Sequence, residues 1–192
     1  MILMHDYSYV IVVSWLVLIT VWVIGAFTAK RDVASSPSIF LWLRSILLLG
    51  LLIFALWNLY LYDHALFFER TLFNLGPAVS WVCALLTVVG VVFAISARYY
   101  LGRNWGSDTK ADPVLVTSGP YAYVRHPIYV GAMLALFGSA LTGSMVAIAL
   151  FMISIIFCLH RIKKEERVMQ SLFPEQYPAY QKHTKRLIPL VW

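Results

Sequence analysis

Three apolar runs dominate this chain: residues 9–29, 39–62 and 77–98. Each is long enough to cross a hydrocarbon core of ~30 Å, which takes about 20 apolar residues. Within lipid every backbone N–H and C=O must be satisfied by the segment or its neighbours, so runs of this length fold as helices. A fourth run, Ile128 to Leu141, is shorter and at ~1.5 Å per residue reaches only about 21 Å. A turn at Thr142, Gly143 and Ser144 follows, and then a fifth run, Met145 to His160. The expectation is an all-α polytopic membrane protein with five transmembrane helices, the last two forming a tight helical hairpin. Composition agrees, since 61% hydrophobic and only 12% charged residues leave no stretch for a separate soluble domain. The whole chain, 1–192, therefore reads as a single membrane domain. Tyr9 to Ala29 lacks a basic leading region and a small-residue cleavage site, and reads as a retained span rather than a signal peptide.

Orientation follows from the basic residues counted loop by loop. Lys30, Arg31 and Arg44 flank the first connection; Arg98, Arg103, Lys110 and Arg125 lie in the third. Arg161, Lys163, Lys164, Arg167, Lys182, Lys185 and Arg186 follow the last run. With five spans these all fall on one side, and Arg70 alone among fifteen basic residues falls on the other, which places the N-terminus outside and the C-terminus in the cytoplasm. The net charge of +6 is thus a matter of topology and anionic lipid headgroups, and no soluble basic surface exists to hold nucleic acid.

Smaller features point to packing. Gly90 and Ala94 are four apart, as are Gly131 and Ala135, a spacing that lets helices approach closely. Trp81, Trp105 and Trp192 read as interfacial anchors, and Ala65 to Leu75 as a segment along the outer interface. Cys83 and Cys158 sit inside apolar runs and read as reduced packing residues; no Cys/His spacing suits a metal.

Polar sequence is scarce here, so chemistry is sought where it concentrates, from Arg98 to Arg125 and again after His160. In Val114 to Gly131, VLVTSGPYAYVRHPIYVG, the valines and Leu115 suit a short extended piece, and Ser118, Gly119 and Pro120 suit a turn. Pro127 suits the first position of a helix, whose free N–H groups favour an anion, with Arg125 and His126 alongside. The competing reading is a set of ordinary interfacial anchors. Downstream, a helix from about Ser144 to Leu172, ended by Pro174, stacks Arg161 and Glu165 on one face and turns Glu166 about 100° away. An exposed i, i+4 ion pair is worth only a few tenths of a kcal/mol. Arg161, however, stands at the end of an apolar run, where ionisable groups are costly unless they face protein, water or a ligand.

TSGPYAYVRHPIYVG, followed by EERVMQSLFPEQYPAYQKHTKRLIP, resembles the C-terminal signature of the isoprenylcysteine carboxyl methyltransferase family, within a wider phospholipid methyltransferase-like group; the size suggests a prokaryotic-type member. The likeness covers roughly residues 102–189. It implies a membrane-embedded enzyme using S-adenosylmethionine, with S-adenosylhomocysteine as product, and a cofactor site unlike the soluble nucleotide-binding fold; the chain has no GxGxxG. It places cofactor contacts on Pro113, Val114, Leu115 and Val116, on Tyr121, on His126, Pro127, Ile128 and Tyr129, and on Glu165. Arg161 matches the substrate arginine. Pro113 stands where the eukaryotic enzymes commonly carry histidine, and Pro178 interrupts the tail motif.

The implied reaction is displacement at a sulfonium methyl by a carboxylate that is already ionised near neutral pH, so no general base is required. The substrate would be a lipidated or hydrophobic carboxylate, such as a prenylcysteine, entering from the bilayer while the cofactor enters from the cytoplasm, with residues 1–98 as the lipid-facing wall and 99–192 carrying the site. Localisation would be multi-pass integral membrane, in the cell membrane of a prokaryote or the endoplasmic reticulum of a eukaryote. A phospholipid or lipid-amine N-methyltransferase is the nearest rival; it wants a base, for which Glu165, Glu166, His126 and His160 are the candidates, and an arginine there repels an ammonium. A nicotinamide-dependent membrane reductase resembling the sterol reductases, and a non-catalytic scaffold, are the readings from other classes. Oligomeric state is not legible.

Overall fold

The computed structural model describes residues 6–28, 72, 75–102 and 114–188. Every regular element among them is helical: α1 (Asp6–Thr28), α2 (Gly76–Leu101), a 3-10 turn (Gly119–Ala122), α3 (Pro127–Leu141), α4 (Met145–Leu172) and α5 (Gln176–His183). The second apolar run, 39–62, lies outside the described residues, as do Pro113, Trp105, Trp192 and most of the 65–75 segment. Three helices, α1, α2 and α4, are long and apolar enough to cross a membrane, and α3 is a shorter apolar helix. Only the first part of α4 suits lipid. From Arg161 to Leu172 six of twelve residues are charged, so this stretch continues the helix beyond the hydrocarbon.

Packing runs in chain order, with α1 against α2, α2 against α3 and α3 against α4. The α2–α3 contact is the tightest, and the small residues singled out above make it so. A Cβ on Gly90 would stand 2.6 Å from the Gly131 carbonyl oxygen, and a Cβ on Gly131 would stand 2.6 Å from the Gly90 carbonyl oxygen. Ala94 and Ala135 beside them are fully buried. A Cβ on Gly138 would likewise meet the Cys83 carbonyl oxygen at 2.7 Å. Without a hydrophobic force to join helices inside lipid, close backbone approach and hydrogen bonds must do it. Here both occur: the Trp15 indole donates to Ser139 Oγ at 3.0 Å, and the Ser139 and Thr87 hydroxyls stand 3.3 Å apart, joining α1, α3 and α2. Leu18, Val91, Ala94 and Ala135, with Trp15, Trp22 and Ile95, fill the apolar centre. Cys83 and Cys158 are buried and unbridged.

Because the atoms opposing Gly90 and Gly131 are backbone, no side-chain rotation can make room there. Gly90→Val is expected to destabilise the folded protein by about 3 kcal/mol or more, at the upper end of overpacking effects. Thermal unfolding in detergent, compared with Val89→Ala on the exposed side of the same helix, checks this.

The ends of the helices carry the features that position the site. Arg98 is buried at the C-terminal end of α2, donating from Nη1 to the Gly102 carbonyl at 2.9 Å and from Nη2 to Gly25 of α1 at 3.5 Å. Between α3 and α4, Gly143 takes φ of 85° and Ser144 caps α4, accepting from the Ala147 N–H at 3.4 Å. Glycine is suited to that left-handed position, and serine to the cap.

Candidate active site

The loop entering α3 is held from both sides. Gly119, at φ of 60°, packs so closely on Tyr100 that a Cβ would stand 2.5 Å from the ring Cδ1. This seats the Ser118–Pro120 turn on the end of α2. Tyr121 is buried, and its carbonyl accepts from the Tyr180 hydroxyl of α5 at 2.5 Å. Burial, with the Tyr180 and Glu165 side chains nearby, pushes the Tyr121 phenol above its usual range, so it is a neutral hydroxyl at any physiological pH. One residue pair then forms a parallel bridge, Val124 with Lys185. The Arg125 N–H donates to the Lys185 carbonyl at 2.8 Å and the His126 N–H to that of Arg186 at 3.2 Å. Pro127, lacking an N–H, opens α3 as expected.

Two consecutive glutamates on α4 face this loop in different directions, as their 100° offset requires. Glu165 Oε1 accepts from the Tyr129 hydroxyl at 2.7 Å and from Arg161 Nε at 2.9 Å. Its Oε2 stands 3.8 Å from His126 Nδ1. Both Arg161 and Glu165 remain open to solvent, with side chains 40% and 27% exposed. Glu166 is instead buried and paired with Arg125 Nε at 3.0 Å and with Arg186 Nη2 at 2.6 Å. His126 lies between the two carboxylates: it is 8% exposed, and its Nε2 stands 3.4 Å from Glu166 Oε1 without hydrogen-bond geometry.

The Glu166 carboxyl lies in the charged part of α4. Burial alone would raise its pKa, but the His126 imidazole, Arg186 and Arg125 outweigh that and hold it down at about 2. A carboxyl depressed in the folded state stabilises fully above its unfolded pKa and loses that contribution as pH falls toward the folded value. The anchoring of the tail, 184–188, should therefore hold at neutral pH and weaken progressively between about pH 4.5 and 2. Limited proteolysis of the tail across that range, beside a Glu166→Gln variant whose tail is already loosened at neutral pH, checks it.

Of the residues expected at a site, His126, Tyr129, Arg161 and Glu165 come together, and Pro127 and Ile128 share the first turn of α3 with them. Tyr121 is close enough for its phenol to sense the Glu165 charge. Val114 is exposed, Leu115 and Val116 are half-buried, and all three lie in irregular backbone rather than a strand. The expectation that Arg125 attends an anion at the helix start is corrected. Its guanidinium is taken up by Glu166 and by the Gln181 and Thr184 carbonyls. Sequence reasoning also missed Thr184 and Arg186 and the pairing of Glu166, since these partners are set by the return of the tail; the consecutive glutamates at 165–166 were the available signal.

This arrangement can be set beside known proteins. The phospholipid methyltransferase family profile matches residues 79–176, just over half of the chain and the whole of α3 and α4. The chain belongs to that family. Relatives of known name align with slightly more than half of the chain. The protein-S-isoprenylcysteine O-methyltransferase of Schizosaccharomyces pombe is 40% identical over 109 residues, covering 54% of this chain and 46% of the relative. The cobalt-zinc-cadmium resistance protein CzcN of Cupriavidus metallidurans is 32% identical over 115 residues, covering 57% of this chain and 52% of the relative. Among solved structures, the eukaryotic intramembrane Ras methyltransferase, an isoprenylcysteine carboxyl methyltransferase, superposes with a TM-score of 0.52 at 31% identity. It covers 60% of this chain and 46% of that one. The chain thus spans about half the length of the curated relatives it matches. Within the family, the likeness to isoprenylcysteine methyltransferases read from the motifs stands.

Proposed function

We propose that this chain is an integral membrane O-methyltransferase that uses S-adenosylmethionine to methylate the carboxylate of a lipidated or hydrophobic substrate such as a prenylcysteine. The observation that carries the reading is the Tyr129–Glu165–Arg161 cluster, one anion and one cation side by side and open to solvent where α4 leaves its apolar stretch. Such a pair suits two ligands of opposite local charge.

The residues present fit the cofactor. Among the described residues Glu165 Oε2 is met by His126 Nδ1 at 3.8 Å, beyond hydrogen-bond distance, which leaves it able to accept from an ammonium group. S-adenosylmethionine, when bound, supplies a methyl on sulfur that passes to a carboxylate oxygen, one C–O bond forming as the C–S bond breaks, with no proton to move. Arg161 would orient the substrate carboxylate, its planar fork matching two oxygens. Tyr129 and the half-buried residues Leu115 and Val116 would flank the adenosine side, with Val114, Tyr121, His126, Pro127, Ile128 and Pro113 completing the cofactor site. Alignment of this kind can supply several kcal/mol of the barrier.

In the membrane, the reading is five spans with the N-terminus outside, α3 and α4 as a hairpin, the first three spans facing lipid and the site in the cytoplasm. The Lys and Arg distribution supports that orientation. The substrate would arrive laterally, since each buried CH2 gains ~0.8 kcal/mol in lipid. The family description itself favours one rival, an amine methyltransferase acting on a phospholipid headgroup. Arg161, 2.9 Å from the glutamate and solvent-open, weighs against an ammonium substrate there. Calorimetric titration of detergent-purified protein with S-adenosylhomocysteine tests the proposal: saturable binding is expected, and no binding by a well-folded protein overturns it. Turnover with farnesylcysteine acid against phosphatidylethanolamine then separates the two acceptors.

A further inference from the structure

The tail beyond α5 touches the loop at the mouth of α3 through both backbone and side chains, and the arginines of loop and tail converge on one carboxylate. Glu166 receives Arg125 from the loop and Arg186 from the tail, and His126 Nε2 lies 3.4 Å from the same Oε1 that Arg125 reaches. The backbone bonds from Arg125 and His126 to Lys185 and Arg186 run alongside. Arg125 also donates to Gln181 and Thr184, which fixes the end of α5 to the same point. The loop residue held by the most bonds is Arg125, and its neighbour His126, whose N–H donates to the Arg186 carbonyl, is the residue that faces Glu165.

We propose that Glu166 is a positioning residue: it clamps the tail onto the loop and thereby fixes His126 and the first turn of α3 against Glu165. This rests on the methyltransferase reading for its consequence, though not for its geometry. Glu166 itself, buried behind His126 and turned away from Glu165, reaches neither of the solvent-open side chains Arg161 and Glu165. It acts through where it holds others. Two guanidinium groups meeting on one buried carboxylate cannot be relaxed singly, because removing that carboxylate leaves both without their shared partner.

The experiment pairs hydrogen–deuterium exchange with S-adenosylhomocysteine titration for wild type, Glu166→Gln, Glu166→Asp and Arg186→Gln. In Glu166→Gln, exchange over 122–127 and 184–187 should rise by about tenfold or more, with α2 unchanged, and affinity for S-adenosylhomocysteine should fall by about tenfold, the scale of one lost charged hydrogen bond. Glu166→Asp should recover part of both. Arg186→Gln, which breaks the clamp from its more exposed side, should reproduce the effect if Glu166→Gln does not fold. Unchanged exchange over 122–127 in both variants overturns the clamp. Raised exchange with affinity unaltered within twofold reduces Glu166 to a structural role and overturns the positioning. If wild type binds no S-adenosylhomocysteine, the methyltransferase reading fails, while the exchange data still decide whether Glu166 holds the loop.

Discussion

Replacing Glu165 with alanine should abolish measurable binding of S-adenosylhomocysteine, an effect of at least about 100-fold in Kd. The carboxylate accepts from both Tyr129 and Arg161, and hydrogen bonds to charged groups contribute ~1.5–3 kcal/mol each. Its removal takes away the anion proposed to receive the cofactor's ammonium and leaves an uncompensated guanidinium beside that position, so attraction becomes repulsion. Glu165→Gln keeps the shape and one acceptor oxygen and should fall between the two. Titration calorimetry on protein shown to be folded by circular dichroism makes the comparison, and binding by Glu165→Ala within twofold of wild type would remove Glu165 from the site.

Arg161→Ala should behave differently, losing about 100-fold or more in kcat/KM for farnesylcysteine acid while keeping its affinity for S-adenosylhomocysteine. The two effects separate because Arg161 is proposed to meet the substrate, and its present partner, Glu165, loses a competing cation when the guanidinium is gone. Arg161→Lys retains the charge but not the bidentate fork, and should recover only a minor part of the lost turnover. Steady-state methylation with the donor saturating, and calorimetry for the donor product, read the two halves. A variant that lost donor-product binding as completely as Glu165→Ala would show that Arg161 serves the cofactor and not the acceptor.

The contrast between Glu165 and Glu166 shows how far the amino-acid sequence could be read. Arg161 and Glu165 are one helical turn apart, so their pairing follows from helix geometry, as does the opposite heading of Glu166. That Gly90 with Ala94, and Gly131 with Ala135, permit close helix approach was legible for the same reason, since small residues at a four-residue spacing leave one face of a helix flat; that the two faces meet each other was not. What lay beyond local geometry was the partner of Glu166. Arg186 is 20 residues and Arg125 is 41 residues away in the chain, and only the path of the tail brings them there. Arg125 was misread for that reason. A cation beside a free helix start looks available for a ligand until the end of the chain is placed; α5 and the tail then present two carbonyls to it, and α4 the carboxylate it shares with Arg186. The helices themselves, with their ends near Thr28, Leu101 and Leu172, were legible from apolar length and, for the last, a proline.

The interlocking of α2 with α3 has a bearing on where in the bilayer the reaction would occur. Two helices whose backbones touch at Gly90 and Gly131 cannot slide past one another by a residue without a collision, so they move along the membrane normal as one body. The height of His126 and Tyr129 is then gauged by α2, a span whose own depth is set by its apolar length. A thicker or thinner bilayer would raise or lower the site together with its span, instead of changing the angle at which the short α3 leaves the surface.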